Sequence, residues 1–240
     1  MPRAKRIWYP GAIYHVMSRG NRRISIFQED IDYAYFLKCL RVTKEKYPFD
    51  LHAICLMTNH FHMLLTTGSD ELWKIMQRLL SIYAEHFNHK YDFTGHLFEG
   101  RYTSKIIDDE YYFMEVSRYI HLNPVKAGMV MSPADYEYSS YASYMGMGNN
   151  LNLQKKTGYS KVRSMIGELI ITSHVLGAFP NNNPEQYRTF VEEKISHTEH
   201  EQQIQKDMKE DEMWLPKGVR PLSHVKELKG SDPSERRTYE

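Results

Sequence analysis

Two apolar runs, Phe49 to Met57 and His60 to Thr67, stand only Thr58-Asn59 apart. Two residues suffice for a tight reversal and little else, so the runs predict an antiparallel hairpin. Similar elements lie on either side of it. Upstream, residues 11–18 read as a strand closed by a turn at Arg19-Gly20-Asn21. Residues 29–46 then place Ile31, Tyr35, Leu37 and Leu40 at mostly helical spacings, with acids first and Lys44 and Lys46 last, as the helix dipole favours. Downstream, residues 70–90 gather Leu72, Ile75, Met76, Leu79, Ile82, Tyr83 and Phe87 on one face of a long helix. A short strand follows at Tyr102–Ile107. Asp108 is then placed to cap a helix running to Asn123, because Pro124 disfavours helical geometry in the residue before it. The order β-α-β-β-α-β plus a further helix predicts an α+β, ferredoxin-like fold: one antiparallel sheet, helices on one face, the other face free.

All of these elements fall within residues 1–148, which we read as one domain. Residues 149–240 read as an accessory C-terminal extension, with short helices at 162–178 and 184–196. Beyond 197 the chain is polar, mixed in charge and broken by Pro216, Pro221 and Pro233, a composition expected to be loosely ordered. With 41% hydrophobic and 25% charged residues in 240, the whole is neither fibrous nor wholly disordered. No apolar run approaches the roughly 20 residues that cross a bilayer. The basic start Met-Pro-Arg-Ala-Lys-Arg is not followed by the apolar stretch and cleavage site of a signal peptide. Two cysteines, Cys39 and Cys55, exclude a disulfide framework and suit a reducing cytoplasm. The net charge of +1 hides an asymmetry, since the first 23 residues hold Arg3, Lys5, Arg6, Arg19, Arg22 and Arg23 and no acid. Such an arm reads equally as a phosphate-binding element or a solvated tail.

Candidate chemistry starts at His60-Phe61-His62. Side chains alternate along a strand, so Phe61, Met63 and Leu65 are expected to pack under the helices. His60 and His62 then share the opposite face, about 7 Å apart along the strand. Two imidazoles so placed can share a metal ion. Among 12 histidines the motif alone is weak, and two ordinary structural histidines fit it too. The following helix carries Phe113, Val116 and Ile120 as a core stripe, with Tyr112, Glu115, Tyr119 and Asn123 on the neighbouring one. Asn123 offers an amide oxygen as a third ligand, and Tyr119 a phenol that can attack phosphorus or stack on a base. Read singly, Tyr119 is equally a core-border tyrosine and Asn123 a helix end.

The joint arrangement resembles the HUH single-tyrosine transposases, and more closely the REP-associated tyrosine transposases of bacteria. The matching stretches are Tyr14-His-Val-Met-Ser-Arg-Gly-Asn21, Leu51 to Leu65 with its Asn-His-Phe-His, Gly95-His-Leu-Phe-Glu-Gly-Arg101, Arg118-Tyr-Ile-His-Leu-Asn-Pro-Val-Lys-Ala-Gly128 and Tyr136-Glu-Tyr-Ser-Ser-Tyr141. They cover roughly residues 10–145. One departure is Thr58, where relatives often carry proline.

The resemblance implies that His60 and His62 bind a divalent metal, Mg2+ or Mn2+, with Asn123 as third ligand and Tyr119 as nucleophile. It implies cleavage of single-stranded DNA through a 5′-phosphotyrosine link beside a DNA hairpin, in a cytoplasmic, nucleoid-associated protein that is a monomer or homodimer. Arg3, Lys5, Arg6, Arg19, Arg22, Arg23, Arg101 and Lys105 are the expected phosphate contacts. Trp8, Tyr9 and Tyr14 are candidates to stack on bases. Two other readings stay open: a non-catalytic nucleic-acid-binding module using an open sheet, and a metal phosphodiesterase that activates water. Glu115 and His121 lie within reach of Tyr119 as a base but read better as structural residues.

Overall fold

The computed structural model describes residues 7–146 and 161–193, together with Ile204 and Lys206. The basic residues Arg3, Lys5 and Arg6, and the stretch beyond 197 expected to be loosely ordered, thus lie outside the described residues or almost so. The elements follow the predicted order: β1 Ile13–Arg19, α1 Asp30–Lys46, β2 Phe49–Met57, β3 His60–Thr67, α2 Leu72–Tyr91, β4 Thr103–Ile107 and α3 Glu110–Lys126. The sheet runs β2-β3-β1-β4, every neighbouring pair antiparallel. That is the ferredoxin-like arrangement.

One face packs as expected. Tyr14, Val16, Leu51, Ile54, Leu56, Phe61, Met63 and Leu65 form a core with α1 and α2, including Phe36, Leu40, Leu79 and Tyr83. The turn residue Thr58 is tied to the preceding loop, its carbonyl accepting from the Ile26 and Phe27 amides. Gly20, where β1 ends, is required for close approach: a Cβ there would lie 2.3 Å from the Ile24 carbonyl oxygen.

The second face differs from expectation. It is covered, not free. Ala53, Cys55, Met57, Leu64 and Ile107 pack against Phe113, Val116 and Ile120 of α3, and further helices close over these. These are α4 Tyr141–Tyr144, α6 Ser173–Gly177 and α7 Pro184–Glu192, while α5 Lys161–Leu169 packs with the α1 side. The predicted 162–178 helix is therefore two. Residues 161–193 have no separate core of their own: Val162, Ile166 and Leu169 join the first core, and Val175, Tyr187 and Val191 the second. Before them, the Tyr136–Tyr141 segment lies along the β2 edge, with Leu56 N–H donating to the Tyr138 carbonyl and Ser140 N–H to that of Ile54.

Helix α3 also starts and stops elsewhere than predicted. Asp109, not Asp108, caps it, accepting from the Tyr112 amide at 2.7 Å. It runs through Pro124, which in the last turn forfeits only the bond to the Ile120 carbonyl. The stop is Gly128 at φ +68°, where the Gly128 amide reaches Val125 O and the Met129 amide reaches Pro124 O, a Schellman closure.

Candidate active site

The ladder registers set the site. His60 and His62 lie across from Arg19 and Met17 of β1, and His15 lies across from Leu64 of β3 and Lys105 of β4. His15, His62 and Lys105 thus share the face that α3 covers. The His60 and His62 rings are 5.1 Å apart, centroid to centroid, and nearly perpendicular. His15 adds a third imidazole, 5.2 Å from His62, with its Nε2 3.0 Å from His62 Nδ1.

Helix α3 brings Tyr119 onto this cluster. Its ring meets His62 at 5.7 Å and His15 at 5.9 Å, edge-on to both, and the residue is 8% exposed. Asn123, one turn on and half-buried, donates from Nδ2 to the Tyr119 carbonyl at 2.8 Å, which leaves its Oδ1 for another partner. Because the helix continues past Pro124, Lys126 joins this stripe at i+7, with Nζ 5.1 Å from the Tyr119 ring centroid. Sequence reading missed both His15 and Lys126 as site residues, although each stands inside a quoted motif.

The imidazoles suit a divalent cation on chemical grounds. Burial, reinforced by Arg19, lowers the His60 pKa to about 4. Burial, then His60 and His15, holds His62 well below 6.5. Both are neutral at pH 7, the state in which imidazole ligates. His60 Nδ1 is engaged by Asn59 Oδ1 at 2.7 Å and His62 Nδ1 by His15, so Nε2 is the atom of each ring left to coordinate. Among the described residues no three His, Cys, Asp or Glu side chains gather as a metal site. A cation here would take the two imidazoles and a ligand of another type, which the Asn123 amide oxygen fits.

The expected DNA contacts divide. Arg22 and Arg23 are exposed, on a short left-handed turn (φ 52° and 59°) that Asn59 Nδ2 ties to the hairpin through the Arg23 carbonyl. Arg101 and Lys105 are exposed as well. Arg19 instead pairs with Glu99 at 3.3 Å. Tyr14 is buried, its hydroxyl donating to the Ile7 carbonyl, so it is no stacking surface; Trp8 is half-buried with its indole N–H on the Asp70 carbonyl, and Tyr9 remains exposed.

Glu115 and His121 are structural. Glu115 faces Arg118, whose guanidinium donates to the carbonyl of Glu193. His121 is fully buried, its ring nitrogens each 2.7 Å from an oxygen, Tyr187 Oη and Ser140 Oγ, and burial pushes its pKa down to about 3.

The chain is similar to known proteins over the part that carries this geometry. Residues 9–123 match the family model described as Transposase IS200 like. A Haemophilus influenzae protein assigned as a REP-associated tyrosine transposase is 30% identical over 118 residues, spanning 44% of this chain and 66% of that protein. Among solved structures, one described as the REP-associated tyrosine transposase bound to a REP hairpin superposes with a TM-score of 0.50 and 19% identity, over 68% of this chain and 90% of that one. At that identity the likeness speaks for the fold alone.

Proposed function

We propose that this chain, whose residues 9–123 match the IS200-like transposase family model, acts as a transposase of that kind and nicks and rejoins single-stranded DNA beside hairpins. In this reading Tyr119 is the nucleophile, and His60, His62 and Asn123 hold a divalent cation, Mg2+ or Mn2+. One juxtaposition carries it: a tyrosine ring 5.7 Å from the second of two neutral imidazoles that are themselves 5.1 Å apart, brought together from α3 and β3.

The phenolic oxygen of Tyr119 attacks a backbone phosphorus. A bond from phosphorus to that oxygen forms as the bond to the 3′ oxygen breaks, giving a 5′-phosphotyrosine and a free 3′-hydroxyl. The phenol loses one proton and the leaving oxygen gains one, so neither water nor a nucleotide cofactor is consumed. A bound divalent cation supplies charge against the phosphate and leaving oxygens. A free tyrosine titrates near ~10, and Lys126 stands with its Nζ 5.1 Å from the Tyr119 ring centroid. Arg22, Arg23, Arg101 and Lys105 stand exposed to take phosphates. The REP hairpin in the similar solved structure suggests hairpin DNA as the substrate. The open-sheet binding alternative is less favoured, since α3, α4, α6 and α7 pack over much of that face.

The test is chemical. The protein is mixed with a labelled hairpin oligonucleotide carrying a single-stranded flank and Mn2+ or Mg2+, then run under denaturing conditions. A protein–DNA adduct is expected with the native chain and none with Tyr119→Phe. An adduct that persists in Tyr119→Phe refutes the nucleophile. Cleavage without adduct that tolerates Tyr119→Phe points instead to an activated water. His60→Ala is expected to abolish the adduct at limiting metal.

A further inference from the structure

Each imidazole of the His60–His62 pair is held at Nδ1 by a residue outside the ligand set. His60 Nδ1 meets Asn59 Oδ1 at 2.7 Å. The amide's orientation is set independently, because Asn59 Nδ2 donates to the Arg23 carbonyl at 3.2 Å and only its oxygen is left for His60. An amide oxygen accepts only, so His60 carries its proton on Nδ1 and its lone pair on Nε2. The His15–His62 contact at 3.0 Å admits two arrangements. If His15 Nε2 donated, the neutral His62 would hold its proton on Nε2 and close that atom to a cation. If His62 Nδ1 donates, Nε2 stays basic and both rings of the pair match.

We infer that His15 and Asn59 are positioning residues that hold His62 and His60 as Nδ1–H tautomers, with both Nε2 atoms presented to the cation. This rests on the reading that the two histidines bind a divalent metal, and it deepens that reading. Both holders stand on firm backbone. His15 is on β1, hydrogen-bonded into the sheet on two sides by β3 and β4. Asn59 is in the two-residue hairpin turn, its carbonyl accepting from the Gly20 amide at 2.8 Å. Outer groups of this type usually set ligand orientation, and losing one typically lowers metal affinity about 10–100-fold.

The tautomers are read directly on the full-length protein, labelled with 15N-histidine and free of metal, from two-bond proton–nitrogen correlations at pH 7. Nδ1–H patterns are expected for both His60 and His62; an Nε2–H pattern at either overturns the inference for that pair. Mn2+ affinity by calorimetry is the second arm. His15→Phe and Asn59→Leu are each expected to weaken binding about 10–100-fold. His15→Gln and Asn59→Asp keep an accepting oxygen and are expected to restore it to within about threefold. Native affinity in His15→Phe, or no recovery in a folded His15→Gln, overturns the assignment. If the native chain and His60→Ala bind Mn2+ alike, the metal reading itself fails, and the tautomers of the metal-free protein still decide what His15 and Asn59 do.

Discussion

Lowering the pH from 7 to 5 is predicted to cost this fold about 4 kcal/mol through two buried histidines outside the proposed ligand set, His121 and His52. His121 is enclosed by Tyr187 and Ser140, and its native pKa is about 3. His52 is buried on β2 against Thr66, and burial together with the nearby His174 lowers it to about 4. In the unfolded chain both titrate near ~6.5. Between those values the unfolded state binds the proton that the native state refuses, so stability falls as pH falls. The contribution is fully present above about 6.5 and is gone once the native rings titrate. At pH 5 an imidazole sits about 1.5 pH units below its unfolded pKa, and at ~1.4 kcal/mol for each unit this is about 2 kcal/mol per ring. Carboxylates add little in this interval, because they titrate lower. The assay is urea unfolding followed by circular dichroism at pH 7 and pH 5, with an unchanged m-value as the check that the unfolded state is the same. His121→Gln, whose amide can still bond Tyr187 and Ser140, is expected to remove its own share of about 2 kcal/mol, while His60 and His62, also held neutral by burial, add to the pH dependence of the native chain. A change below about 1 kcal/mol in the native chain, or a full pH dependence in His121→Gln, would refute the reasoning.

Three further outcomes follow from other contacts. Lys126→Met is expected to slow adduct formation about tenfold while Lys126→Arg keeps most of it, measured from initial rates, because the cation sits against the Tyr119 ring face. Asp32→Ala is expected to cost about 3 kcal/mol in urea unfolding. Asp32 is 1% exposed; burial alone would raise its pKa, but Lys90, Tyr91 and the amides of Gln28 and Glu29 outweigh that and hold it low. Gly128→Ala is expected to cost about 1 kcal/mol in thermal unfolding with no steric clash, since the penalty is the left-handed backbone and nothing lies near a Cβ there.

The part of the fold that local pattern encodes is legible in the sequence. A two-residue gap makes a hairpin whatever surrounds it, and the alternation at His60–Leu65 correctly sends Phe61, Met63 and Leu65 to the α1–α2 side. The covered second face is not legible, because its cover is assembled from short pieces. Tyr187 and Val191 on a helix of nine residues make no convincing apolar stripe, and they become core only by meeting α3. His15 is hidden for a related reason. It stands 47 residues before His62 in the chain, and only the β1–β3 register makes them partners. Lys126 was within reach of sequence reasoning. Taking Pro124 as the end of α3 put Lys126 outside the helix and off the face of Tyr119. Proline near a helix C-terminus removes one hydrogen bond, whereas a glycine able to enter the left-handed region closes the whole last turn. Weighing Gly128 as the stop extends the helix to Lys126 and lines up Tyr119, Asn123 and Lys126 at i, i+4 and i+7. Where a helix ends thus decides which charges its functional face carries, and here a shift of three residues separates a tyrosine with no nearby cation from one with an ammonium on its ring.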